Sequence, residues 1–138
     1  MRGENYVGGL FGSLETTTDK TKYTITSCTV GPNVTVTGTG SKIGGIAGKF
    51  RGTILYSSSA ATVTGKNYVG GVVGYAGGNA EKIWYCHNDG TVKGVESVGG
   101  VLGYGDGGNE NPIRYIYNTG DVSGDKEVAG VVGTAKNS

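Results

Sequence analysis

One eight-residue motif recurs five times along the chain, and this repetition limits the folds that the chain can adopt. Two clear copies read NYVGGVVG at Asn67–Gly74 and ESVGGVLG at Glu96–Gly103. The other copies lie at Asn5–Gly12, Ser41–Gly48 and Lys126–Gly133. Successive copies start 36, 26, 29 and 30 residues apart. A period of roughly 20–50 residues indicates a solenoid, a propeller or another repeat array.

A second motif follows the first in phase. Its copies begin at an isoleucine and end at a glycine, and they lie at Ile54–Gly65, Ile83–Gly94 and Ile113–Gly124, with a looser copy over Ile25–Gly38. Near the end of each copy, small or apolar residues alternate with polar ones, which is the period of a strand with one buried face. No stretch keeps a helical period for the length that a helix needs, so we expect an all-β protein.

Each unit of about thirty residues contains three predicted strands: one over the glycine motif, one from the isoleucine onward, and one at the Thr-Val-x-Gly end. Three short strands fit one coil of a parallel β-helix, whereas a propeller blade needs four strands and about 40 or more residues. We therefore predict a right-handed parallel β-helix, or β-solenoid, of about four coils with three short strands per coil. It forms a single domain over residues 1–138, which we expect to be a segment of a longer array.

Stacked coils place equivalent residues in columns about 4.8 Å apart. Three aliphatic columns are predicted to fill a thin core: Leu10, Ile46, Val72, Val101 and Val131; Ile25, Ile54, Ile83 and Ile113; and Val36, Val63, Val92 and Val122. The motif glycines are expected where a side chain would collide with the next coil or where the backbone needs positive φ. Two more apolar columns flank the paired glycines: Val7, Ile43, Val69, Val98 and Val128; and Phe11, Ala47, Val73, Leu102 and Val132. Simple alternation does not decide which face of this strand is buried.

The two cysteines test this alignment. Cys28 and Cys86 fall in one predicted column, two coils apart. That separation exceeds the Cα distance of about 7 Å that a disulfide can span. We therefore expect two free thiols.

Composition removes several classes of function. The formal net charge is +1 with acids and bases interspersed, so we expect no nucleic-acid partner. No apolar run is long enough to cross a membrane, and no membrane insertion is expected. The segment Gly103–Gly108 matches a dinucleotide-binding pattern, but no helix follows it, so no cofactor is predicted.

The two motifs together resemble the GLUG-type repeat of bacterial surface proteins, including adhesins and the non-catalytic regions of immunoglobulin-A-protease-like proteins. The likeness covers Asn5 to Gly133 and departs at Ala129, which replaces a glycine. The resemblance implies an extracellular β-solenoid stalk or adhesive segment at the bacterial cell surface. It implies no catalytic residues, and we expect no enzymatic activity.

Aromatic residues are the best candidates for recognition, with a host glycan or a protein as the partner. Tyr56, Tyr85 and Tyr115 share one predicted column, and Trp84 lies beside it. The remaining candidates are His87 and Tyr117 in the next outward column, and Tyr75 and Tyr104 after the glycine motif. Flat aromatic faces can stack on sugar rings or anchor a protein. The alternative is that the tyrosines stack on each other and shield the strands.

Other chemistry is less favoured. Asp106, Asn109 and Glu110 crowd one loop and could bind Ca²⁺, although a solvated turn is the favoured interpretation. Acid pairs such as Asp89 with Asp121, or Asp125 with Glu127, would be needed by a carbohydrate-active β-helix enzyme fragment, which is the third functional alternative. The second is a self-assembling fibre subunit, because solenoid ends without caps can stack head to tail.

Overall fold

The computed structural model describes residues 1–14, 23–78, 82–107 and 113–137. In these ranges the chain forms short β-strands and no helix, and every strand pair is parallel. Strands of one coil pair with their equivalents in the next, through about four coils. This confirms the predicted all-β parallel β-helix. None of the described residues belongs to a helix that could span a membrane.

Five parallel sheets run along the solenoid. Sheet A contains Arg2–Gly3, Thr35–Gly38, Thr62–Thr64, Val92–Lys93 and Val122–Ser123. Sheet B contains Val7–Gly8, Ser41–Gly44, Asn67–Gly70, Glu96–Gly99 and Lys126–Ala129. Sheet C contains Phe11–Leu14, Ala47–Phe50, Val73–Gly78, Leu102–Gly107 and Val132–Asn137. Sheet D contains Tyr23–Thr26, Gly52–Leu55 and Lys82–Trp84, extended by a bridge from Trp84 to Arg114. Sheet E contains Thr29–Val30, Ser58–Ser59, His87–Asn88 and Tyr117–Asn118.

A coil carries five short strands because two of the three predicted strands bend in the middle. The glycine motif divides at its paired glycines, so that Ser41–Gly44 joins sheet B and Ala47–Phe50 joins sheet C. The isoleucine segment divides at Tyr56, whose φ of 50° lies in the left-handed region. The residues before this bend belong to sheet D, and those after it belong to sheet E.

Left-handed backbone falls on residues with side chains rather than on the motif glycines. Non-glycine residues with φ between 50° and 67° form two columns: Tyr6, Lys42, Tyr68, Ser97 and Glu127; and Ser27, Tyr56, Tyr85 and Tyr115. A left-handed conformation costs an L-residue roughly 1–2 kcal/mol. The same left-handed corners recur in successive coils, so each coil carries this conformational cost. The packing of successive coils must offset it.

The motif glycines are needed for space. A Cβ placed on Gly44 would lie 2.1 Å from the carbonyl oxygen of Ala47 and 2.7 Å from the amide nitrogen of Gly74 in the next coil. A Cβ on Gly71 would lie 2.1 Å from the carbonyl oxygen of Gly100 and 2.3 Å from Cγ of Asn88. Of the two reasons expected for these glycines, collision with nearby parts of the same chain is therefore the one that applies. Gly130 in the last coil is an exception, because a Cβ there would meet nothing within 4 Å.

The predicted columns form the core. Ile54 pairs in register with Ile25 and Ile83, and Val63 pairs with Val36 and Val92. Both columns that flank the paired glycines also point inward, and their central members are fully buried: Ile43, Val69 and Val98 in sheet B, and Ala47, Val73 and Leu102 in sheet C. The bend at the paired glycines turns both faces of the predicted strand toward one interior.

The first coil is less enclosed than the central coils. Leu10 and Phe11 expose 47% and 36% of their surface, although their equivalents Ile46 and Ala47 are fully buried.

Ala129, which replaces a motif glycine, still pairs in register with Gly99. This substitution in the motif therefore leaves the stacking of the last two coils intact.

Cys28 and Cys86 are both free thiols, as predicted. Ser57 occupies the coil between them, and its Oγ accepts a hydrogen bond of 3.2 Å from the Cys28 amide. The Cys86 side chain is fully buried, and this burial raises the pKa of its thiol. Cys28 is half-buried.

We expect an alkylating reagent to modify Cys28 and spare Cys86 in the native protein, because a thiolate reacts only where it is both formed and accessible. Peptide mass spectrometry after brief native labelling would show which thiol reacts. Labelling in denaturant is the control, and both cysteines should then react. Equal native labelling of the two thiols would contradict the burial of Cys86.

Candidate binding surface

Three exposed tyrosines form a continuous stack on the outside of the solenoid. Tyr56 and Tyr85 have ring centroids 4.9 Å apart at an interplanar angle of 10°, and Tyr85 and Tyr115 are 4.7 Å apart at 6°. We call these three residues the tyrosine ladder. Each follows a residue paired in sheet D and turns the chain through the left-handed corner toward sheet E. This confirms the column that the sequence predicts.

Stacking determines which part of each ring the ladder presents. The central ring, Tyr85, is covered on both faces and is 44% exposed, whereas Tyr56 and Tyr115 at the ends are 60% and 63% exposed. The ladder therefore offers ring edges and phenolic hydroxyl groups at the spacing of the coils. A sugar ring cannot stack on the covered faces.

Basic side chains lie along one flank of the ladder, around Trp84. The Lys82 ammonium is 5.0 Å from the centroid of the Trp84 ring, and the Arg114 guanidinium carbon is 5.8 Å from it. Both distances are within the range of a cation–π interaction. Trp84 thus lies beside the ladder, as predicted, and the Lys82 and Arg114 side chains pack on its ring.

The other flank carries a histidine and an acid. The His87 ring stacks on Tyr117 with centroids 4.6 Å apart and planes 2° apart. Nε2 of His87 is 3.3 Å from Oδ2 of Asp89. The Thr119 hydroxyl donates a hydrogen bond of 2.7 Å to Oδ1 of the same carboxylate. His87 and Tyr117 share an outward column in sheet E, as predicted.

Tyr75 and Tyr104 belong to a separate cluster on sheet C. Their rings stack with centroids 5.4 Å apart, and Tyr68 packs on Tyr104 at 4.9 Å. The Lys42 ammonium lies 4.8 Å from the Tyr6 ring and 5.1 Å from the Tyr75 ring. Sequence reasoning missed Tyr6, Lys42 and Tyr68, although all three occupy the second position of the glycine motif.

The predicted calcium loop is described only in part. Oδ2 of Asp106 accepts a hydrogen bond of 3.3 Å from the Tyr75 hydroxyl. Asn109 and Glu110 lie outside the described residues. Within the described ranges, no three His, Cys, Asp or Glu side chains gather in an arrangement that could hold a metal ion.

Glu127, one of the acids considered for catalysis, is bonded to two hydroxyl groups. Ser97 Oγ and Thr134 Oγ1 each donate a hydrogen bond of 2.7 Å to Oε2 of Glu127. These bonds hold the pKa of Glu127 below its ordinary value. The carboxylate therefore ties the last coil to Ser97 of the coil before it.

We expect Glu127 to make stability depend on acid pH. Because its pKa is lowered in the folded state, the carboxylate stabilises the fold above its unfolded pKa, and this contribution disappears as pH falls through the folded pKa. Urea unfolding from neutral to acid pH should show a stability difference between the wild type and Glu127→Gln that shrinks on acidification. Parallel profiles for the two proteins would contradict the bonded carboxylate.

Asn88 and the half-buried Asn118 form a second ladder, in sheet E, that the sequence reasoning missed. Asn88 is fully buried, and its Nδ2 donates bonds of 2.8 Å to Oδ1 of Asn118 and to the carbonyl of Gly90. The Gly90 amide donates back to Oδ1 of Asn88 at 3.2 Å. Asn118 makes the same pair of bonds with Gly120. The Asn-x-Gly segments at Asn88–Gly90 and Asn118–Gly120 are the sequence pattern from which this ladder could have been predicted.

Comparison with protein-family models, with curated proteins and with solved structures found no match. The likeness to GLUG-type repeats therefore stays a prediction, based on the motif at Asn67–Gly74 and its four other copies.

Proposed function

We propose that this chain is a non-catalytic structural and adhesive repeat module of an extracellular protein at a bacterial surface. The tyrosine ladder is the observation that carries the proposal. Its rings are 44% to 63% exposed, while the aliphatic columns behind them fill the interior. The ladder is therefore not required to complete the core, and a large exposed aromatic group on a regular rod is suited to recognition.

A glycan chain is the partner that the ladder geometry favours. Stacked rings present edges and hydroxyl groups, which suit a ligand rich in hydroxyl groups better than an apolar protein anchor. The centroids of the hydroxyl-bearing rings are 4.9 and 4.7 Å apart, so a single ligand with several hydroxyl groups can contact more than one ring.

Glycan-array screening followed by titration tests this proposal. Tyr85→Ala interrupts the ladder at its centre and should weaken binding about tenfold, the factor expected for losing one aromatic contact. Tyr104→Ala removes a tyrosine from the separate cluster and is the matched control, which should bind like the wild type. Equal losses in both variants, or no glycan bound by the wild type, would contradict an adhesive ladder. Cleavage of a bound polysaccharide would contradict a non-catalytic role.

A fibre subunit is the second candidate, and the ends of the sheets favour it. In this structure sheet B ends at Val7–Gly8 and Lys126–Ala129, and the outer edges of these strands pair with no other described strand. Leu10 and Val128 expose 47% and 38% of their surface in the coils at the two ends. Further coils of a longer chain or a second molecule could cover these edges.

Light scattering over a range of protein concentrations tests the fibre. Head-to-tail contact would continue every sheet and give an open filament, so the mean mass should rise steadily with concentration. A constant monomer mass over the whole range would contradict it.

A further inference from the structure

Two aromatic columns lie side by side where the chain turns from sheet D to sheet E: the tyrosine ladder, and the column of His87 and Tyr117. Toward the first coil, the ladder continues one coil further than the second column. The tyrosine ladder ends at Tyr56, and Ser27 takes the equivalent corner in the first coil. The second column ends at His87, because the equivalent residues in the two preceding coils are not aromatic. Ser58 pairs with His87, and Thr29 pairs with Ser58. In this second column, large rings therefore give way to small hydroxyl side chains between His87 and Ser58, and the change leaves a step in the surface.

The step leaves one face of His87 uncovered by a ring. Tyr117 covers the face toward the last coil, and the opposite face points toward the coil of Ser58. An imidazole extends further from the backbone than a serine hydroxymethyl group, so the outer part of the ring projects beyond Ser58. The His87 side chain is 29% exposed, and Asp89 beside it is 46% exposed.

Polar groups lie at the edge of the His87 ring and in the coil of Ser58. Oδ2 of Asp89 lies 3.3 Å from Nε2 of His87, and Oδ1 of the same carboxylate accepts a hydrogen bond from the Thr119 hydroxyl of the next coil. The Ser58 hydroxyl lies 3.5 Å from that of Thr29, and both face outward below the ring. Tyr56, 60% exposed, lies at the left-handed corner two residues before Ser58 in the same coil. We call the space bounded by Tyr56, Ser58, His87, Asp89 and Thr29 the notch.

We propose that the notch binds one pyranose ring of a glycan. The sugar ring stacks on the free face of His87, and its hydroxyl groups donate to the Asp89 carboxylate and exchange hydrogen bonds with Ser58. This inference rests on the proposed glycan-binding function and gives it a position. It adds a further aromatic face to a surface whose central ladder ring, Tyr85, is covered on both sides.

Charge selects the kind of sugar. The notch contains the carboxylate of Asp89, while the cations Lys82 and Arg114 pack on Trp84 at the other flank of the ladder. A carboxylate accepts hydrogen bonds from neutral hydroxyl or amide groups and repels another anion. The ligand class is therefore neutral hexose or N-acetylhexosamine oligosaccharides rather than uronic-acid or sulfated ones.

Ser58→Tyr tests the notch by filling it. The column already holds a tyrosine at Tyr117, so a ring at residue 58 should extend the existing stack and keep the fold. We expect its affinity for neutral oligosaccharides to fall about tenfold or more. Ser58→Ala leaves the notch open and removes one hydrogen bond to the sugar, so its loss should be clearly smaller than that of Ser58→Tyr, about threefold. Circular dichroism would confirm that both variants are folded.

Binding would be measured by titration with a panel of neutral hexose, N-acetylhexosamine and uronic-acid oligosaccharides. NMR shifts of the His87 ring give a second readout and should move on addition of a neutral oligosaccharide. If Tyr85→Ala weakens binding while Ser58→Tyr binds like the wild type, the ladder binds glycan and the notch is overturned alone. Preference for uronic-acid oligosaccharides would also overturn the notch. If the wild type binds none of the panel, both proposals fail.

Discussion

Replacing Gly71 by alanine is expected to lower the free energy of unfolding by about 3 kcal/mol or more, one of the largest effects of any single change in this chain. The added Cβ would lie 2.1 Å from the Gly100 carbonyl oxygen and 2.3 Å from Cγ of Asn88. The first neighbour is backbone of the next coil and the second is a buried side chain of the opposite wall. Neither can move away without opening the stack.

Gly130→Ala is the matched control for this change. Gly130 has the same motif position in the last coil, and a Cβ there would meet nothing within 4 Å. Its effect on stability should stay within about 0.5 kcal/mol. Urea unfolding of the two variants gives the comparison. Equal losses would show that the glycine is needed for a local backbone reason and not for the approach of neighbouring coils.

Asn88→Leu is expected to destabilise the fold by about 2–4 kcal/mol. Leucine has a similar size but cannot accept from the Gly90 amide or donate to the Gly90 carbonyl and to Oδ1 of Asn118. These polar groups would remain in or near the interior without that partner, and burying an unpaired polar group is costly. Thermal or urea unfolding measures the loss.

The repeat itself supplies the control for Asn88. The preceding coil has Ser59 at this position, and its Oγ accepts a hydrogen bond of 3.3 Å from the amide of Ala61. Asn88→Ser should therefore keep the bond to the amide two residues on and lose less stability than Asn88→Leu. A leucine variant as stable as the serine variant would show that the buried hydrogen bonds contribute little.

The fold could be predicted because the repeat places the same residue type at the same point of each coil. Once Ile54 and Ile83 are aligned, stacking follows from the strand spacing, and the separation of the two cysteines follows from the stacking. The ladder column through Tyr85 could be predicted for the same reason. These features depend on position in the repeat, which sequence spacing records directly.

Features that depend on the path of the backbone could not be predicted in this way. The bend at Tyr56 needs a left-handed residue, and tyrosine does not indicate that conformation as glycine or asparagine would. The assignment of Tyr75 to a separate cluster depends on the bend at the paired glycines, which divides one predicted strand between two sheets. The covered faces of the ladder depend on the side-chain rotamers, which no sequence pattern specifies.

Methyl–methyl nuclear Overhauser contacts among the isoleucines test the stacked, in-register coils most directly. Ile54 pairs with Ile25 on one side and with Ile83 on the other, and all three are buried. With isoleucine methyl groups selectively labelled, we expect contacts from Ile54 to both neighbours and none directly between Ile25 and Ile83. Contacts from Ile54 to neither residue, or a direct contact between Ile25 and Ile83, would contradict the solenoid and the surface built on it.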